Sequence, residues 1–150
     1  MIQFREVDFN SEASILSDID TLRRGHTPVG NWTLAMACWH LKLPLDSCLH
    51  MPKQLETTPD QRELKGRLDT LIDGGKMSHG MQIFPGTEPP ADASETAIDG
   101  IVAGLKALQA YSESHVDFGH FGAVPTDRFR KFICKHTENH LAFFLPKTAD

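Results

Sequence analysis

Three histidines carry the chemistry that this sequence could perform. His136 and His140 are four residues apart. That spacing puts two imidazoles on one face of a helix, one turn apart, where both can reach a single metal ion. Their row, Phe129, Phe132, Ile133, His136, His140 and Phe143, is otherwise apolar and reads as core-facing. Chance supplies about 0.4 such pairs in a chain this rich in histidine, so the pair needs support from elsewhere. His40 gives it by continuing a second apolar row of Trp32, Met36, Trp39 and Leu43. A neutral imidazole is tolerated in a core only with hydrogen-bond partners or a metal. Two arrangements satisfy that rule: one metal site shared by the three rings, or separate core histidines with a hydrogen bond each.

Familiar alternatives do not fit. The run His136-Thr137-Glu138-Asn139-His140 is not H-E-x-x-H, because Thr137 follows the first histidine. Glu138 is turned roughly 200° from His136 around the helix and reads as a solvated surface carboxylate. Ile133 stands where a di-iron bundle has the glutamate of its E-x-x-H pair. Cys134, two residues from His136, falls on another face and reads as a packed core thiol rather than a nucleophile. His26, His50, His79, His115 and His120 fall in or near loops. His79 and His120 are the two that a loop could bring to the site mouth, and neither has ligand spacing.

Five helices are predicted to position these residues, and no segment reads convincingly as a strand. The first covers about 11–24, capped by Asn10 or Ser11, with Ile15, Leu16, Ile19 and Leu22 on one face and Gly25 at its end. The second opens after Gly30-Asn31 with Asn31 as cap; Trp32, Ala35, Met36, Trp39 and Leu43 form its apolar row, and Pro44 kinks or interrupts it. Thr58-Pro59-Asp60-Gln61 starts the third, which carries Leu64, Leu68, Leu71 and Ile72 and stops at Gly74-Gly75. A Pro/Gly-rich connection from Lys76 to about Ala91 either covers a site or is a plain surface crossover. The fourth helix starts near Asp92 and presents Ile98, Ile101, Val102, Leu105 and Leu108; Gly100 and Gly104 mark close approach of a neighbour. A glycine- and aromatic-rich turn around Phe118–Gly122 precedes the fifth, over about 126–144. Four amphipathic helices and a shorter one describe an all-α bundle.

Composition narrows the function classes. A chain of 150 residues with 40% hydrophobic and 23% charged residues fits one domain spanning 1–150. Its longest apolar run, Leu34 to Trp39, is too short for a membrane span, so no membrane partner is expected. Charges at Arg5 and Glu6 argue against a secretion signal. A net charge of −5 suits neither phosphate contacts nor a nucleic-acid partner. Cys38, Cys48 and Cys134 are odd in number and form no C-x-x-C pair. That excludes a disulfide framework or thiolate zinc site as the organising feature and fits a cytoplasmic protein.

Two blocks resemble a known superfamily. The segment from Gly30 to Leu41, with Trp32, Thr33 and His40, resembles the G-x-W-[ST]-x-x-x-x-x-x-H-L helix of the DinB/YfiT-like metalloenzymes. Phe121-Gly122, Phe129 and the run His136 to Leu141 are similar to their F-G…W…H-x-x-[HN]-H-L ending, and Phe84-Pro85-Gly86 to a loop before their third bundle helix. The nearest likeness is to a bacterial branch of unknown function. Phe129 departs from the commoner tryptophan, Asn139 from a frequent second histidine, and Phe118 from a frequent histidine before the F-G turn.

The resemblance implies a four-helix bundle, here with an additional short helix and a long loop, in which His40, His136 and His140 bind a divalent metal. Zinc or nickel is the first expectation for the ion, with iron or manganese after them. Three imidazoles leave a coordination position open, the pattern of catalytic rather than structural sites. The implied activity is thiol-dependent S-transfer or hydrolysis of a small molecule or thiol, in a protein that pairs as a homodimer. No general base is assigned. The open position is expected to face a cleft between the end of the second helix, the Met77–Pro90 loop and the Phe118–Gly122 turn. The competing reading is a non-catalytic metal- or ligand-binding module, stress-related or structural.

Overall fold

Capping chemistry decides where the helices begin. In α1 (Glu12–Arg24) the Ser11 hydroxyl accepts from the Ser14 N–H, and the Ser14 hydroxyl accepts in return from the Ser11 N–H. Helix α2 (Leu34–Cys48) is capped by Thr33, whose hydroxyl accepts from the Met36 N–H at 3.1 Å. The start expected at Asn31 is thus two residues early, and Trp32 lies outside the helix. For α3 (Pro59–Asp73) the predicted Thr58–Gln61 capping box is present with Pro59 in the first turn. Helix α4 (Glu95–Ala110) begins three residues after Asp92, following Ser94. Helix α5 (Thr126–Leu141) ends before Phe144. The computed structural model describes residues 5–74 and 87–147. Most of the long connection, with His79 and Phe84-Pro85-Gly86, lies outside them.

Pro44 does not interrupt α2, one of the two outcomes expected for it. Proline removes one donor, to the His40 carbonyl, but the residues beyond it still have a core to join: Leu45 and Cys48 are buried with Ala37, Cys38 and Leu41. This buried face is rotated from the expected row, for Met36, Trp39 and Leu43 are only half-buried. His40 sits at its edge. Helix α4 packs most extensively on α2. A Cβ on Gly104 would lie 2.9 Å from the Leu45 Cβ, and one on Gly100 the same distance from the Lys42 side chain. The two glycines therefore permit the close approach that their spacing suggested.

The chain is mostly helical, and its short strands escaped the sequence reading. Strand β1 (His26–Pro28) pairs antiparallel with β4 (Phe144–Pro146), and β2 (His115–Asp117) with β3 (Ala123–Pro125). Three residues are too few to show a period of two. Pairing with β1 takes Phe144 out of the expected fifth helix. The segment before α1 straps onto α5: Arg5 N–H donates to the Ala142 carbonyl at 3.1 Å, and Phe9 N–H to Glu138 Oε2 at 2.9 Å. Glu138 is therefore buried and hydrogen-bonded rather than solvated. Sequence reasoning placed it correctly on the face opposite His136 but did not foresee that the N-terminal segment covers that face. Arg128 joins α5 to α3 through Asp69 at 2.7 Å and Asp73 at 2.9 Å. Among the described residues no helix is long and apolar enough to cross a membrane.

Two glycines test this packing in opposite directions. Gly104→Ala should destabilise the protein by about 1–3 kcal/mol, because its methyl meets the Leu45 Cβ rather than a movable side-chain end. Gly66→Ala, in α3 with open space around it, should stabilise by about 0.5–1 kcal/mol through helix propensity. Urea unfolding midpoints of the two variants check both signs.

Candidate metal centre

The structure brings His40 of α2 together with His136 and His140 of α5. One ring nitrogen from each lies within 4.8 Å of the other two. The His40 and His136 Nε2 atoms are 3.1 Å apart. Two imidazole ligands about 2.1 Å from one ion, at angles between octahedral and tetrahedral, stand about 3.0–3.4 Å apart, so this separation fits a shared ion. His26, His50, His115 and His120 are not part of the group. His26 Nδ1 instead contacts the Leu22 carbonyl at 2.8 Å, His50 Nε2 faces Asp117 at 3.2 Å, and His115 Nδ1 faces the Ser114 hydroxyl. His120 is exposed in the 3-10 turn Gly119–Phe121.

Hydrogen bonding orients the His40 ring. His40 Nδ1 lies 2.9 Å from the Thr87 carbonyl, which can only accept. The His40 proton therefore resides on Nδ1, and Nε2 turns a lone pair toward His136. That is the arrangement in which a metal-ligating histidine is normally held. Thr87 belongs to the C-terminal part of the long connection, which therefore reaches His40. Sequence reasoning missed this partner because a backbone carbonyl has no residue signature.

Aromatic rings wall the imidazoles. Trp32 stacks on His140, with centroids 5.4 Å apart and planes inclined by 10°, and also meets His40 at 5.4 Å. Phe132 stacks on His136 at 5.2 Å, and Phe118 meets the edge of Phe132 at 5.1 Å. The Phe118–Gly122 turn thus reaches the centre through Phe132 rather than through His120. Trp32 owes its place to the turn before Thr33, where the Val29 N–H donates to the Phe143 carbonyl at 2.8 Å. A Cβ on Gly30 would come within 2.9 Å of the Phe143 ring.

The family model matches residues 1–147. The chain belongs to DUF1569, a family of proteins of unknown function. No curated protein and no solved structure matches the chain.

Electrostatics keep these rings in the ligating form. Burial lowers the pKa of His40 against the opposing pull of the Thr87 carbonyl. Burial, then repulsion from His140 and His40, holds His136 well below the usual histidine range. Neutral imidazoles are what a cation needs, and protons compete for them least when their pKa is depressed. The cysteines remain apart from this chemistry. Burial pushes the Cys38 thiol up to about 12 and Cys134 up to about 11, and it raises Cys48 as well.

A pH dependence follows with a definite sign. The unfolded chain has histidines near about 6.5 and takes up protons before folded His40 and His136 do. Stability of the metal-free protein should therefore be full above about pH 6.5 and fall as the pH drops below it. His136→Gln should flatten that fall. Denaturant unfolding of both proteins between about pH 7.5 and pH 5 measures the difference in slope.

Proposed function

We propose that the chain is a metal-dependent enzyme on a DinB/YfiT-like four-helix bundle, a single domain that acts on a small molecule by thiol-dependent S-transfer or by hydrolysis. His40, His136 and His140 are its ligands for one divalent ion, zinc or nickel before iron or manganese. The observation that carries this reading is the convergence of three imidazoles from two helices on one point, with burial depressing the pKa of His40 and His136. Three nitrogen donors leave room for an exchangeable ligand, as catalytic sites require. An ion held there supplies a Lewis acid for a thiol sulfur or a water.

The chain's own residues have three tasks in this scheme. His40 is held by Thr87 with Nε2 inward. Trp32 and Phe132 press on His140 and His136, fixing ring orientation and limiting water. The buried cysteines stay protonated and out of reach, so the reacting thiol is one that enters from outside. S-transfer is favoured over hydrolysis by the apolar, aromatic surround, which strengthens the pull of a cation on a soft thiolate. A cytoplasmic, thiol-rich setting and a homodimeric assembly accompany this proposal.

Elemental analysis of untagged protein should find about one divalent ion per chain. Alanine at His40, His136 or His140 should each reduce retention about 100-fold or more, whereas His26→Ala should leave it unchanged. Glutathione or cysteine added to Co²⁺-substituted protein should change its visible absorption, and His140→Ala should abolish that change. Metal binding with a spectrum indifferent to thiols would turn the reading to hydrolysis or to a non-catalytic binding module. A protein that retains no ion would remove the reading altogether.

A further inference from the structure

We infer that α3 is a salt-sensitive cover of the three-histidine cluster. It opens from α5 and the Phe118–Gly122 turn while the other four helices stay packed, and its opening loosens the aromatic wall of His136. What the cover serves, control of access to a metal centre, rests on the proposed function; the opening itself does not.

Helix α3 buries least of the five helices. Two of its 15 residues, Leu68 and Ile72, are buried, whereas α2, of the same length, buries seven. Two buried aliphatic side chains offset only a small share of the entropy lost in ordering 15 residues. Among the described residues no backbone hydrogen bond leaves α3 for another element. Its interior includes Gly66, a poor helix former, with nothing within 4 Å of where a Cβ would stand. A helix of this length is marginal in water by itself, so α3 melts once it detaches.

Charge supplies much of what holds it in place. Arg128 of α5 reaches Asp69 at 2.7 Å and Asp73 at 2.9 Å. Arg128, followed by the charges of Lys131 and Lys135, holds the Asp73 carboxyl below the usual carboxylate range. The Arg128 side chain is 26% exposed, and those of Asp69 and Asp73 are 56% and 64% exposed. Counter-ions therefore reach these pairs and weaken them as salt rises.

Both ends of α3 brace the wall of the cluster. Arg128 and Phe132 are four residues apart and share a face of α5. Phe132 stacks on His136 at 5.2 Å. At the other end Gln61 packs on Gly122, where a Cβ would come within 2.9 Å of the Gln61 Cδ. The same turn presents Phe118 to Phe132 at 5.1 Å. An element with few buried contacts is the one that opens below the cost of global unfolding, and lids are drawn from such elements. Here that element leans on the two rings that lead to His136.

The experiment uses the metal-free full chain, wild type and Arg128→Gln, in about 0.05 M and 0.5 M KCl. Amide hydrogen exchange by mass spectrometry reads the opening, and carbethoxylation of His136 by diethyl pyrocarbonate reads access, with His26 as internal control. The α3 amides should lose protection together, at least about 10-fold faster than those of α2 and α4. The higher salt should speed α3 exchange about 2–5-fold, and Arg128→Gln should show the fast rate already at low salt and respond to salt no further. His136 carbethoxylation should rise in step with α3 exchange while that of His26 stays constant. Protection of α3 within about threefold of α2 and α4 overturns the inference, as does α3 exchange indifferent to salt. So does an α3 that opens without any change at His136. The wild-type salt series decides even if Arg128→Gln does not fold. Elemental analysis of untagged wild type separates the two readings: α3 opening in a protein that retains no ion ends the metal reading alone, and an ion retained with α3 locked to the core ends the cover alone.

Discussion

The contact between His40 and His136 is the constraint around which the rest of the chain is arranged. Two imidazole nitrogens 3.1 Å apart, in an apolar surround, are stable only if one proton lies between them or one cation takes its place. Either solution demands that α2 and α5 hold their levels to within a fraction of an ångström. Helix α2 is set laterally by α4, through the close approach at Gly100 and Gly104, and the Thr33 cap fixes where it begins. Helix α5 is set by connections on its other sides. Glu138 anchors the N-terminal strap, Arg128 ties α3, and the strand after the helix pairs with β1.

These restraints also explain the distribution of polarity along α5. Its buried set includes Thr137, Glu138 and Asn139 alongside Phe129, Ile133 and Leu141. A helix with polar groups buried on several sides is surrounded, not laid on a core by one stripe. Thr137 satisfies itself by donating to the Ile133 carbonyl at 2.6 Å, and Glu138 accepts from Phe9. His136 and His140 lie on a further side of the helix. They look toward α2, where the aromatic rings of Trp32 and Phe132 fill the space that hydrogen-bonding groups would otherwise occupy.

Much of this was legible in the sequence, for reasons that also mark where legibility ends. The capping box at Thr58, Ser11 as one of two candidate caps, the i,i+4 histidines and the paired glycines are local signals; the structure caps α1 with Ser11, brings the two histidine rings together and lets the glycines approach α2. The His40 contribution needed two helix faces to meet, which periodicity made a fair expectation. Pro44 left interruption open because the rule against proline within a helix concerns one lost hydrogen bond, whereas α2 continues for the sake of Leu45 and Cys48 in the core. Glu138 misled because a helical wheel shows which residues are opposite the core, not which other segment covers that side. The β1–β4 pair is set by the segments that leave α1 and α5, and β2–β3 closes across the Phe118–Gly122 turn; neither has enough residues to show a strand period.

The placement of the thiols bears on what kind of chemistry the centre can host. A cysteine beside three imidazoles would become a fourth ligand, since a cation deprotonates a coordinating thiol outright. Cys134, two residues from His136, is on another face of the helix and is held protonated by burial and by the carboxylates of Glu12 and Glu138. Those same carboxylates are engaged elsewhere, with Arg130 and with the Phe9 N–H. The arrangement therefore separates hard and soft competitors from the imidazoles: no cysteine and no carboxylate joins them in the ligand cluster among the described residues. Under the proposed function, a cation held by these neutral nitrogen donors alone would keep its full double charge for an anion that comes from outside. A thiolate meets the requirement better than most, because it is anionic, polarizable and tolerant of the aromatic walls that Trp32 and Phe132 provide.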